Sequence, residues 1–476
     1  MAETKLKVLV FFVGTRGDVM PGVAICKALE DRGHQAAMAV CPGVEDSVRA
    51  YGVRCFVVGR VPFTWRNDKK VMSPEEVGIL RRSMNAKEFL SVANKHGVSW
   101  NLEECLPEAL AGCRDLVDQE DYDVILCNIC TQVASHRLMK NRPNLKVIRT
   151  TFTFWNIATS AWAPGGYEMS GGFMNKLKHL HFLFCVFMPF IFGSNIFKKE
   201  FEELKKITGI DHDVGLGFFK KLAETPCLGL WSPNLQDRPA DFPQNMQVTG
   251  NLFLPQLPNW QPSGSMEAFL QQKPLLLSFG SMLGVETLEE AFIQAAKRLG
   301  ISVLWISDKK RKEQLITSTF DFNGGEPGQE IEKGVFQVDY APFDYLLPKV
   351  SLVVCHGGAG TVFRAIGSGV PVVICPVITP IIADQMLHAQ WAERKGFGAF
   401  LRPLEPTIQE CEEALQKALA CKGTCDAAAA KVKQEDGAKA AAAAIEQLAE
   451  KDDTKPQSGC CAGICKLFRR RPSGQP

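Results

Sequence analysis

A glycine-rich hexapeptide after a strand-like run constrains the fold of this chain more than any other stretch. Leu352-Val353-Val354-Cys355 has the composition of a buried strand, and His356-Gly357-Gly358-Ala359-Gly360-Thr361 leads from it into a helix-like segment. The main-chain amides of such a turn lie at a helix N-terminus, where a phosphate or diphosphate is favoured. Taken alone, the motif is equally compatible with an ordinary glycine-rich turn, because short patterns match by chance.

Two further stretches have the same strand, loop and helix order. The apolar run 7–13 leads into Gly14-Thr15-Arg16-Gly17-Asp18, and a helical pattern follows as far as Gly33. The run 274–279 leads into Gly280-Ser281-Met282 and an amphipathic segment from 288 to 299. Further strand-like runs alternate with helical patterns, at 35–40, 54–58, 124–127, 146–151, 303–306, 334–338, 352–355 and 370–375, and an alanine-rich segment predicts one helix from about 425 to 449. We therefore predict an α/β fold with two doubly wound, Rossmann-like domains, whose ligands bind at the carboxyl ends of the strands. His34, after Gly33, is expected to cap a helix end or to face solvent.

Length and charge agree with two domains that act on small molecules. The chain has 476 residues, more than one ordinary domain, and 54 basic residues are balanced by 52 acidic ones. A balance this even argues against nonspecific nucleic-acid binding. The predicted boundaries are an N-terminal domain over 1–255, a proline-rich linker over 256–272, a C-terminal domain over 273–450, and a tail over 451–476.

The cysteines and the apolar segments bear on the cellular compartment. The chain has 17 scattered cysteines, several of them inside apolar strands, without paired zinc-type spacing in the body. They indicate reduced core thiols in a cytoplasmic protein. The most apolar segment, 182–192, contains Pro189 and is shorter than the roughly 20 residues of a membrane-spanning helix. We predict no transmembrane segment and no secretory signal.

The last residues form a distinct chemical patch, because Cys460, Cys461 and Cys465 precede Lys466 and the arginines 469–471. S-acylation beside a basic patch would supply the two signals that stable membrane anchoring needs. A cationic tail with unmodified thiols is an equally open interpretation. The tail therefore predicts peripheral membrane association as a hypothesis only.

Several motifs in register resemble the sterol 3β-glucosyltransferases, inverting UDP-sugar-using enzymes of GT-B fold. The resemblance spans about residues 5–400 and rests on the loop from Gly14 to Pro21 and the hexapeptide 356–361, together with Trp231-Ser232-Pro233, Val248-Thr249-Gly250, Phe279-Gly280-Ser281-Met282 and Ala383-Asp384-Gln385. Several motifs in order are far more specific than any one of them. The resemblance implies two Rossmann-like domains that face each other across a cleft.

The resemblance also implies where the substrates bind. The C-terminal domain would hold the nucleotide sugar through Ser281, Val338, His356, Gly358, Gly360, Thr361, Asp384 and Gln385. Main chain in the stretch 338–342 would recognise the nucleobase, and Asp384 with Gln385 would bond to sugar hydroxyls. The N-terminal domain would bind the acceptor. The implied reaction moves a hexose, by default glucose, from a UDP-sugar to a lipophilic acceptor such as a sterol, with no further cofactor.

Asp18 is the candidate catalytic base, because it occupies the loop position where many relatives place a catalytic histidine. Its residue type is equally typical of a helix cap. Thr15 and Arg16 are candidates for supporting the phosphates, and Arg16 is equally able to brace the loop. No metal is predicted: Asp211-His212-Asp213 has the letters of a D-x-D pair but lies far from the phosphate loop and indicates a solvated loop.

Two aromatic-rich segments, 151–162 and 171–197, suggest an apolar acceptor site. The candidate acceptor residues are Phe152, Phe154, Trp155 and Phe182. Each is also compatible with an ordinary place in the core, where most large apolar side chains lie. The segments as a whole favour a lipid acceptor and contact with a membrane interface.

The resemblance weakens after Gln385, where Met386-Leu387-His388 replaces the proline and bulky aromatics of the relatives. This departure lies near the sugar and leaves the donor sugar open. Three alternatives stay open: transfer to another lipid or small hydrophobic acceptor, a UDP-sugar 2-epimerase, and a non-catalytic lipid-binding or scaffold protein that shares the fold.

Overall fold

A computed structural model describes residues 5–60, 63–65, 75–76, 79, 91, 98–100, 102–128, 131, 135, 142, 144–154, 172–181, 224–258, 260–280, 282, 285–307, 328–377, 384–402 and 405–450. These residues form two seven-stranded sheets and one two-stranded ribbon. Each large sheet packs against helices, which is the layered arrangement that buries both faces of a parallel sheet.

The first sheet belongs to the N-terminal half. The elements of this half, in chain order, are β1 (Lys7–Phe11), α1 (Arg16–Asp31), β2 (Gln35–Val40), α2 (Glu45–Arg49), β3 (Arg54–Val57), β4 (Phe63–Trp65), β5 (Val98–Trp100), α3 (Leu102–Glu120), β6 (Val124–Cys127), β7 (Lys146–Thr151), β8 (Cys227–Gly229) and β9 (Met246–Val248). Strands β4 and β5 form the separate antiparallel ribbon. The sheet order is β3-β2-β1-β6-β7-β8-β9, with every pair parallel. The direction of winding changes between β1 and β6, and the crevice of such a sheet opens there.

The second sheet repeats this plan in the C-terminal half. Its elements are α4 (Gly264–Leu270), β10 (Leu275–Ser278), α5 (Glu286–Arg298), β11 (Val303–Ile306), β12 (Gln329–Glu332), β13 (Val335–Val338), α6 (Phe343–Leu346), a 3-10 turn (Leu347–Lys349), β14 (Leu352–Cys355), α7 (Ala359–Gly367), β15 (Val372–Ile374), α8 (Gln385–Lys395), β16 (Gly398–Phe400), α9 (Ile408–Leu419), α10 (Lys422–Val432) and α11 (Gly437–Glu450). The order is β12-β13-β11-β10-β14-β15-β16, parallel except for the edge strand β12. Its change of winding lies between β10 and β14.

The predicted fold class is confirmed, since both halves are doubly wound parallel sheets. The predicted strands at 35–40, 124–127, 146–151, 303–306 and 352–355 have the bounds that the structure gives them. Continuous apolar runs carry this signal because a parallel strand is buried on both faces. Of the cysteines predicted to lie in strands, Cys127 and Cys355 end β6 and β14, and Cys375 directly follows β15. Cys26 lies in α1 instead, and all four are buried free thiols, as predicted.

The prediction of one alanine-rich helix from 425 to 449 is wrong, because the segment forms two helices, α10 and α11. The break precedes Gly437, where the chain passes the Gly250-Asn251 main chain so closely that a Cβ would lie 2.3 Å from the Asn251 carbonyl oxygen. A straight helix cannot make that approach and also return to the first domain. Helix propensity therefore set the two helices, and tertiary packing set the break between them.

Helix α11 returns to the N-terminal sheet and packs on α1. Ala441, Ala442 and Ile445 are buried in the same cluster as the apolar face of α1. Arg32 donates two hydrogen bonds to the Glu446 carboxylate at 2.7 and 2.6 Å. His34 Nε2 lies 2.6 Å from Glu446 Oε1, and its Nδ1 accepts from the Leu6 amide. His34, expected at a helix cap or in solvent, therefore fastens the last helix to the first sheet.

The motifs around Trp231 and Gly250 join the two domains. Ser232 Oγ donates to Glu435 Oε1 at 2.7 Å, and the Ser232 amide donates to the Asn251 side chain at 3.0 Å. Asn251 in turn donates to the carbonyl of Phe363 on α7. Gly250 has φ of +124°, and a Cβ there would lie 2.9 Å from Gly437 Cα. These motif residues hold the domains in contact rather than forming a site of their own.

Candidate active site

The phosphate-loop candidate follows β14 and opens α7, as the sequence predicts. Gly357 has φ of +99°, and a Cβ there would lie 2.7 Å from Ile374 Cγ2 and 3.1 Å from the Gln385 carbonyl oxygen. Gly358 is the N-cap, and its carbonyl accepts the first amide bonds of the helix, from Thr361 and Val362. The glycines are therefore needed for the loop to fold back on its own neighbours. The turn presents a helix N-terminus at the sheet crevice, where an anion is favoured.

The His356 ring lies between two glycine turns of this loop system. A Cβ on Gly358 would lie 2.6 Å from its Nε2, and a Cβ on Gly280 would lie 3.1 Å from its Cε1. Burial, together with a smaller effect of the neighbouring His388, lowers the pKa of His356 to about 4. The imidazole is therefore neutral at pH 7, so that it offers a phosphate one N–H donor rather than a positive charge. Its Nδ1 is buried without a hydrogen-bond partner among the described residues.

The beginning of α8 supports the loop from the other side. Gln385 is buried, and its Oε1 accepts from the Val377 amide at 2.8 Å, while its Nε2 lies 3.6 Å from the sulfur of Met282. His388 is fully buried, and its Nδ1 lies 2.7 Å from the Gly357 carbonyl oxygen. That distance means that Nδ1 carries a proton and donates it to the carbonyl. The His388 side chain therefore braces the phosphate loop directly, whereas the Gln385 side chain holds the chain after β15 at Val377.

Asp384 is the N-cap of α8 and belongs to the same unit. Its carboxylate Oδ2 lies 3.6 Å from His388 Nδ1, and its side chain keeps 19% of its surface exposed. Burial raises the pKa of Asp384 above its ordinary value, and the neighbouring His388 opposes part of that rise. Of the predicted sugar-binding pair, Asp384 is thus the one whose carboxylate still reaches solvent, whereas the Gln385 amide already bonds to protein.

Asp18 lies in the first turn of α1, at the carboxyl end of β1. Its Oδ2 accepts from the Thr15 amide at 2.7 Å and from the Thr15 hydroxyl at 2.9 Å. Gly14, with φ of +146°, makes room for this carboxylate, since a Cβ there would lie 2.5 Å from Oδ2. Asp18 thus does close a capping box with Thr15. Thr15 holds the Asp18 carboxylate in place, and its support of the phosphates stays a prediction.

The charge environment of Asp18 is unusual for a helix-capping carboxylate. Its pKa is raised to about 6: burial is the largest cause of the rise, the two bonds from Thr15 oppose it, and the Asp384 carboxylate of the other domain contributes to it. A carboxyl group with this pKa is a far better base near neutral pH than an ordinary aspartate. Capping the helix through Oδ2 is therefore compatible with a role as a base. The two domains also bring Asp18 and Asp384 within electrostatic reach of each other.

Arg16 spans the two domains. Its Nη2 donates to the hydroxyl of Tyr340 at 2.6 Å, and its guanidinium carbon lies 4.4 Å from the centre of that ring. Tyr340 lies two residues after Val338, the last residue of β13. The Val338 side chain is buried, so only its main chain is available to a nucleobase. Arg16 is therefore a brace between the loop of the candidate base and the predicted nucleobase stretch. The sequence offered no signal for this pair, whose members are 324 positions apart.

The predicted acceptor residues have different environments. Phe154 is fully buried and packs edge-on against Trp231 with ring centres 6.0 Å apart, and it also meets Trp391 at 5.7 Å. It is thus a core residue that links the two domains, and its ring has no surface left for an acceptor. Phe152 is half-buried and makes an edge contact with Phe12. Trp155, Phe182, Ser281, the tail cysteines 460, 461 and 465, and the sequence 211–213 lie outside the described residues.

Within the parts of the chain that the structure describes, no group of three or more His, Cys, Asp and Glu side chains is placed to hold a metal ion. In the same parts, no helix combines the length and the apolar character needed to cross a bilayer.

Known proteins resemble this chain in both halves. Residues 8–96 match the glycosyltransferase family 28 N-terminal domain, and residues 309–450 match the erythromycin biosynthesis protein CIII-like C-terminal domain. A sterol 3-beta-glucosyltransferase of Arabidopsis thaliana is 24% identical over 454 residues, and one of Saccharomyces cerevisiae is 25% identical over 452 residues. The chain is thus similar in sequence to sterol 3-beta-glucosyltransferases. Both alignments cover 91% of this chain, but only 64% of the plant protein and 34% of the yeast protein.

Solved structures similar to this chain agree on its fold. The glycosyltransferase of kitacinnamycin superposes with a TM-score of 0.62 at 17% identity, covering 93% of this chain and 99% of its own. The spinosyn forosaminyltransferase gives 0.60 at 14%, covering 94% and 100%. The spinosyn rhamnosyltransferase, complexed with thymidine diphosphate, gives 0.56 at 16%, covering 93% and 100%. The fold is therefore GT-B, and the predicted resemblance is confirmed.

Proposed function

We propose that the protein is an inverting glycosyltransferase that moves a hexose, glucose by default, from a UDP-sugar to the hydroxyl of a lipophilic acceptor, by first choice a sterol. One observation supports this most: the Asp18 carboxylate, with a pKa raised to about 6, is within electrostatic reach of Asp384 of the facing domain. A base on one domain and a glycine-rich helix N-terminus on the other are what transfer from a nucleoside diphosphate needs.

In the proposed reaction, Asp18 takes the proton of the acceptor hydroxyl as its oxygen attacks the anomeric carbon. The bond from that carbon to the diphosphate breaks, and UDP leaves with the bonding electrons. The amides that open α7 and the neutral imidazole of His356 would meet the developing negative charge. Asp384 would accept hydrogen bonds from sugar hydroxyls. No metal ion or further cofactor has a part in the proposal.

The choice of donor and acceptor follows from the relatives. Proteins similar to this chain in sequence are named sterol 3-beta-glucosyltransferase, and a structural neighbour was solved with thymidine diphosphate, a nucleoside diphosphate like UDP. A radiolabelled UDP-glucose assay over sterols, ceramides and phenolics tests the acceptor class. Transfer to ceramides or phenolics alone would replace the sterol by another acceptor and leave the transferase proposal intact.

The Asp18→Asn substitution tests catalysis itself. We expect transfer to fall by about 10²- to 10⁴-fold while UDP still binds, because asparagine keeps the shape but cannot take the proton. Asp31→Asn, the same change at the exposed far end of α1, is the matched control and should transfer normally. Wild-type protein that turns over no UDP-sugar, even by slow hydrolysis, would instead support a non-catalytic lipid-binding protein.

Peripheral membrane association in the cytoplasm is part of the same proposal. Acylation of Cys460, Cys461 and Cys465 beside the arginines 469–471 would anchor the tail. A chain lacking residues 451–476 should then lose part of its membrane-bound fraction. Equal fractionation of the shortened and intact chains would count against this anchor.

A further inference from the structure

The ring of His388 is fully buried near the start of α8, against aromatic side chains of both domains. It meets Phe363 of α7 edge-on with ring centres 5.2 Å apart, and Phe154 of the N-terminal domain at 6.1 Å. Burying an imidazole among such rings is costly, because its two nitrogens lose their bonds to water. A leucine would fill similar space without this cost, so packing alone does not explain a histidine here.

One nitrogen of the His388 ring faces two groups of the donor site. Nδ1 lies 2.7 Å from the Gly357 carbonyl oxygen of the phosphate loop and 3.6 Å from Oδ2 of Asp384. The first distance is that of a hydrogen bond, and the second is an electrostatic contact too long to be one. A single N–H is therefore directed at the main chain of the phosphate loop and lies beside the carboxylate proposed to bind the sugar.

The polar chemistry of the ring is concentrated at Nδ1. Within the described part of the chain, Nε2 of His388 is buried without a hydrogen-bond partner. Asp384 responds to the ring, because burial raises the pKa of Asp384 and His388 opposes that rise. His388 thus favours the ionised carboxylate, which is the form that accepts hydrogen bonds from hydroxyl groups on both oxygens.

We propose that His388 is a positioning residue for recognition of the donor sugar, and that its Nδ1–H holds the Asp384 carboxylate in a fixed relation to the Gly357 main chain. The inference rests on the proposed function, because it takes Asp384 as the acceptor for sugar hydroxyls. A sugar that is linked to a diphosphate at the loop bonds well to Asp384 only when the carboxylate and the loop keep the right separation. His388 therefore serves sugar recognition through Asp384, without touching the sugar.

Binding of UDP and of UDP-glucose to the full-length chain tests the proposal. The dissociation constant of UDP divided by that of UDP-glucose, called the sugar ratio below, measures what the sugar adds to binding. His388→Leu fills the space but removes the N–H, whereas His388→Asn is smaller and places an amide N–H near the position of Nδ1. We expect His388→Leu to lower the sugar ratio by about three- to tenfold, and His388→Asn to retain most of it. A role in packing alone predicts the reverse order, because asparagine leaves a cavity.

A double-mutant cycle tests whether His388 acts through Asp384. In a chain that already carries Asp384→Asn, His388→Leu should lower the sugar ratio little further, because the group that it positions has lost its charge. His34→Leu is the matched control, since His34 is also buried and bonded to a carboxylate, but in the cluster that holds α11. It should lower the thermal unfolding temperature and leave the sugar ratio unchanged. His388→Met, which also lacks an N–H and adapts to irregular space, replaces the leucine variant if that variant does not fold.

The possible results separate this inference from the proposed function. Additive losses in the cycle overturn the inference, as does a sugar ratio that leucine preserves better than asparagine. Both results leave the transferase proposal standing if wild type transfers glucose. Wild type that binds UDP-glucose and transfers no sugar would sink the proposed function, whereas the sugar ratios would still decide the role of His388. Wild type that binds neither UDP nor UDP-glucose would overturn both.

Discussion

At the residue scale, two opposing effects set the chemistry of Asp18. Desolvation disfavours the charged carboxylate and raises its pKa to about 6, while the bonds from the Thr15 amide and hydroxyl favour the carboxylate. Because the pKa of Asp18 in the folded chain lies above its ordinary value, the ionised carboxylate is less stable in the folded chain than in the unfolded one. Position and pKa together make Asp18 suited to proton abstraction.

The activity should therefore follow the ionisation of Asp18. Asp18 must be deprotonated to act as a base, so kcat/KM should rise as pH increases through about 6 and level off above it. Thr15→Val removes one of the bonds that stabilise the carboxylate and should move the midpoint to higher pH, whereas Thr15→Ser keeps a hydroxyl and should move it less. Initial rates of glucosyl transfer across pH measure this. A rate unchanged through this pH range would contradict Asp18 as the base.

Two glycines of the hexapeptide should respond differently to alanine. Gly357→Ala meets a positive φ and Ile374 Cγ2 at 2.7 Å, so we expect about 1–3 kcal/mol lower unfolding free energy and weaker UDP binding. Gly360→Ala is the control, because a Cβ there has no atom within 4 Å and alanine favours a helix. Thermal unfolding and titration calorimetry with UDP measure both effects. Equal losses of stability in the two variants would show that the strain at Gly357 is not specific.

At the scale of elements, the last helix shows how composition and packing divide their roles. Alanines make α11 a stable helix and keep its face flat against α1. The Glu446 carboxylate sets the position of α11 along α1, because it accepts two hydrogen bonds from the Arg32 guanidinium and contacts the His34 ring. Arg32 holds the pKa of Glu446 well below its usual value, at about 2. The element is therefore helical by sequence and placed by one polar cluster.

The contribution of Glu446 should depend on pH with a definite sign. Its folded pKa is depressed, so the stabilisation is present above the usual 4.5 and is lost as pH falls through about 2. At pH 7 Glu446→Gln should lower the unfolding free energy by about 1 kcal/mol. Asp426→Asn, which breaks the exposed pair with Lys422, should cost less. Denaturant unfolding at several pH values should show the Glu446 difference shrink in acid, and a constant difference would contradict this account.

At the scale of the whole molecule, the domains meet through two kinds of contact. Close packing of Gly250 on Gly437 and the buried ring of Phe154 among Trp231 and Trp391 join the domains tightly. Arg16 and Tyr340 add a polar contact between the domains beside the candidate base. We expect the packed contacts to fix the arrangement of the domains, and the polar pair to fix the distance between base and nucleotide.

The polar pair should matter more for turnover than for nucleotide binding. Arg16→Ala removes the brace from the loop of Asp18 and should lower kcat by about tenfold, because small displacements of a catalytic group are costly. UDP affinity should change less, because Arg16 belongs to the other domain. Tyr340→Phe keeps the ring under the guanidinium and loses only the hydroxyl, so its loss should be smaller. Steady-state kinetics with UDP calorimetry tests this, and an affinity loss larger than the kcat loss would contradict it.

The parts of the site that could be predicted are those with local signals. The loops after β1, β10 and β14 combine an apolar run, a glycine turn and a helical period, so their place at the sheet crevice followed from short-range rules. The partners of these loops have no such signal. Arg16 meets Tyr340 and Asn251 meets Phe363 across distant sequence, and the neutrality of His356 comes from burial. The sequence showed that the segment around Phe154 is rich in aromatic residues, but it did not show that the Phe154 ring lies in the core.

The sequence by itself determined two doubly wound sheets, their glycine-rich loops and the family that they resemble, because hydrophobic period and turn chemistry act over a few residues. Only the tertiary structure decided that Asp18 titrates near 6, that α10 and α11 are separate, and that the His388 ring bonds to the Gly357 carbonyl. Each of these depends on desolvation or on contacts between segments far apart in the chain. Such effects exist only when the chain is packed.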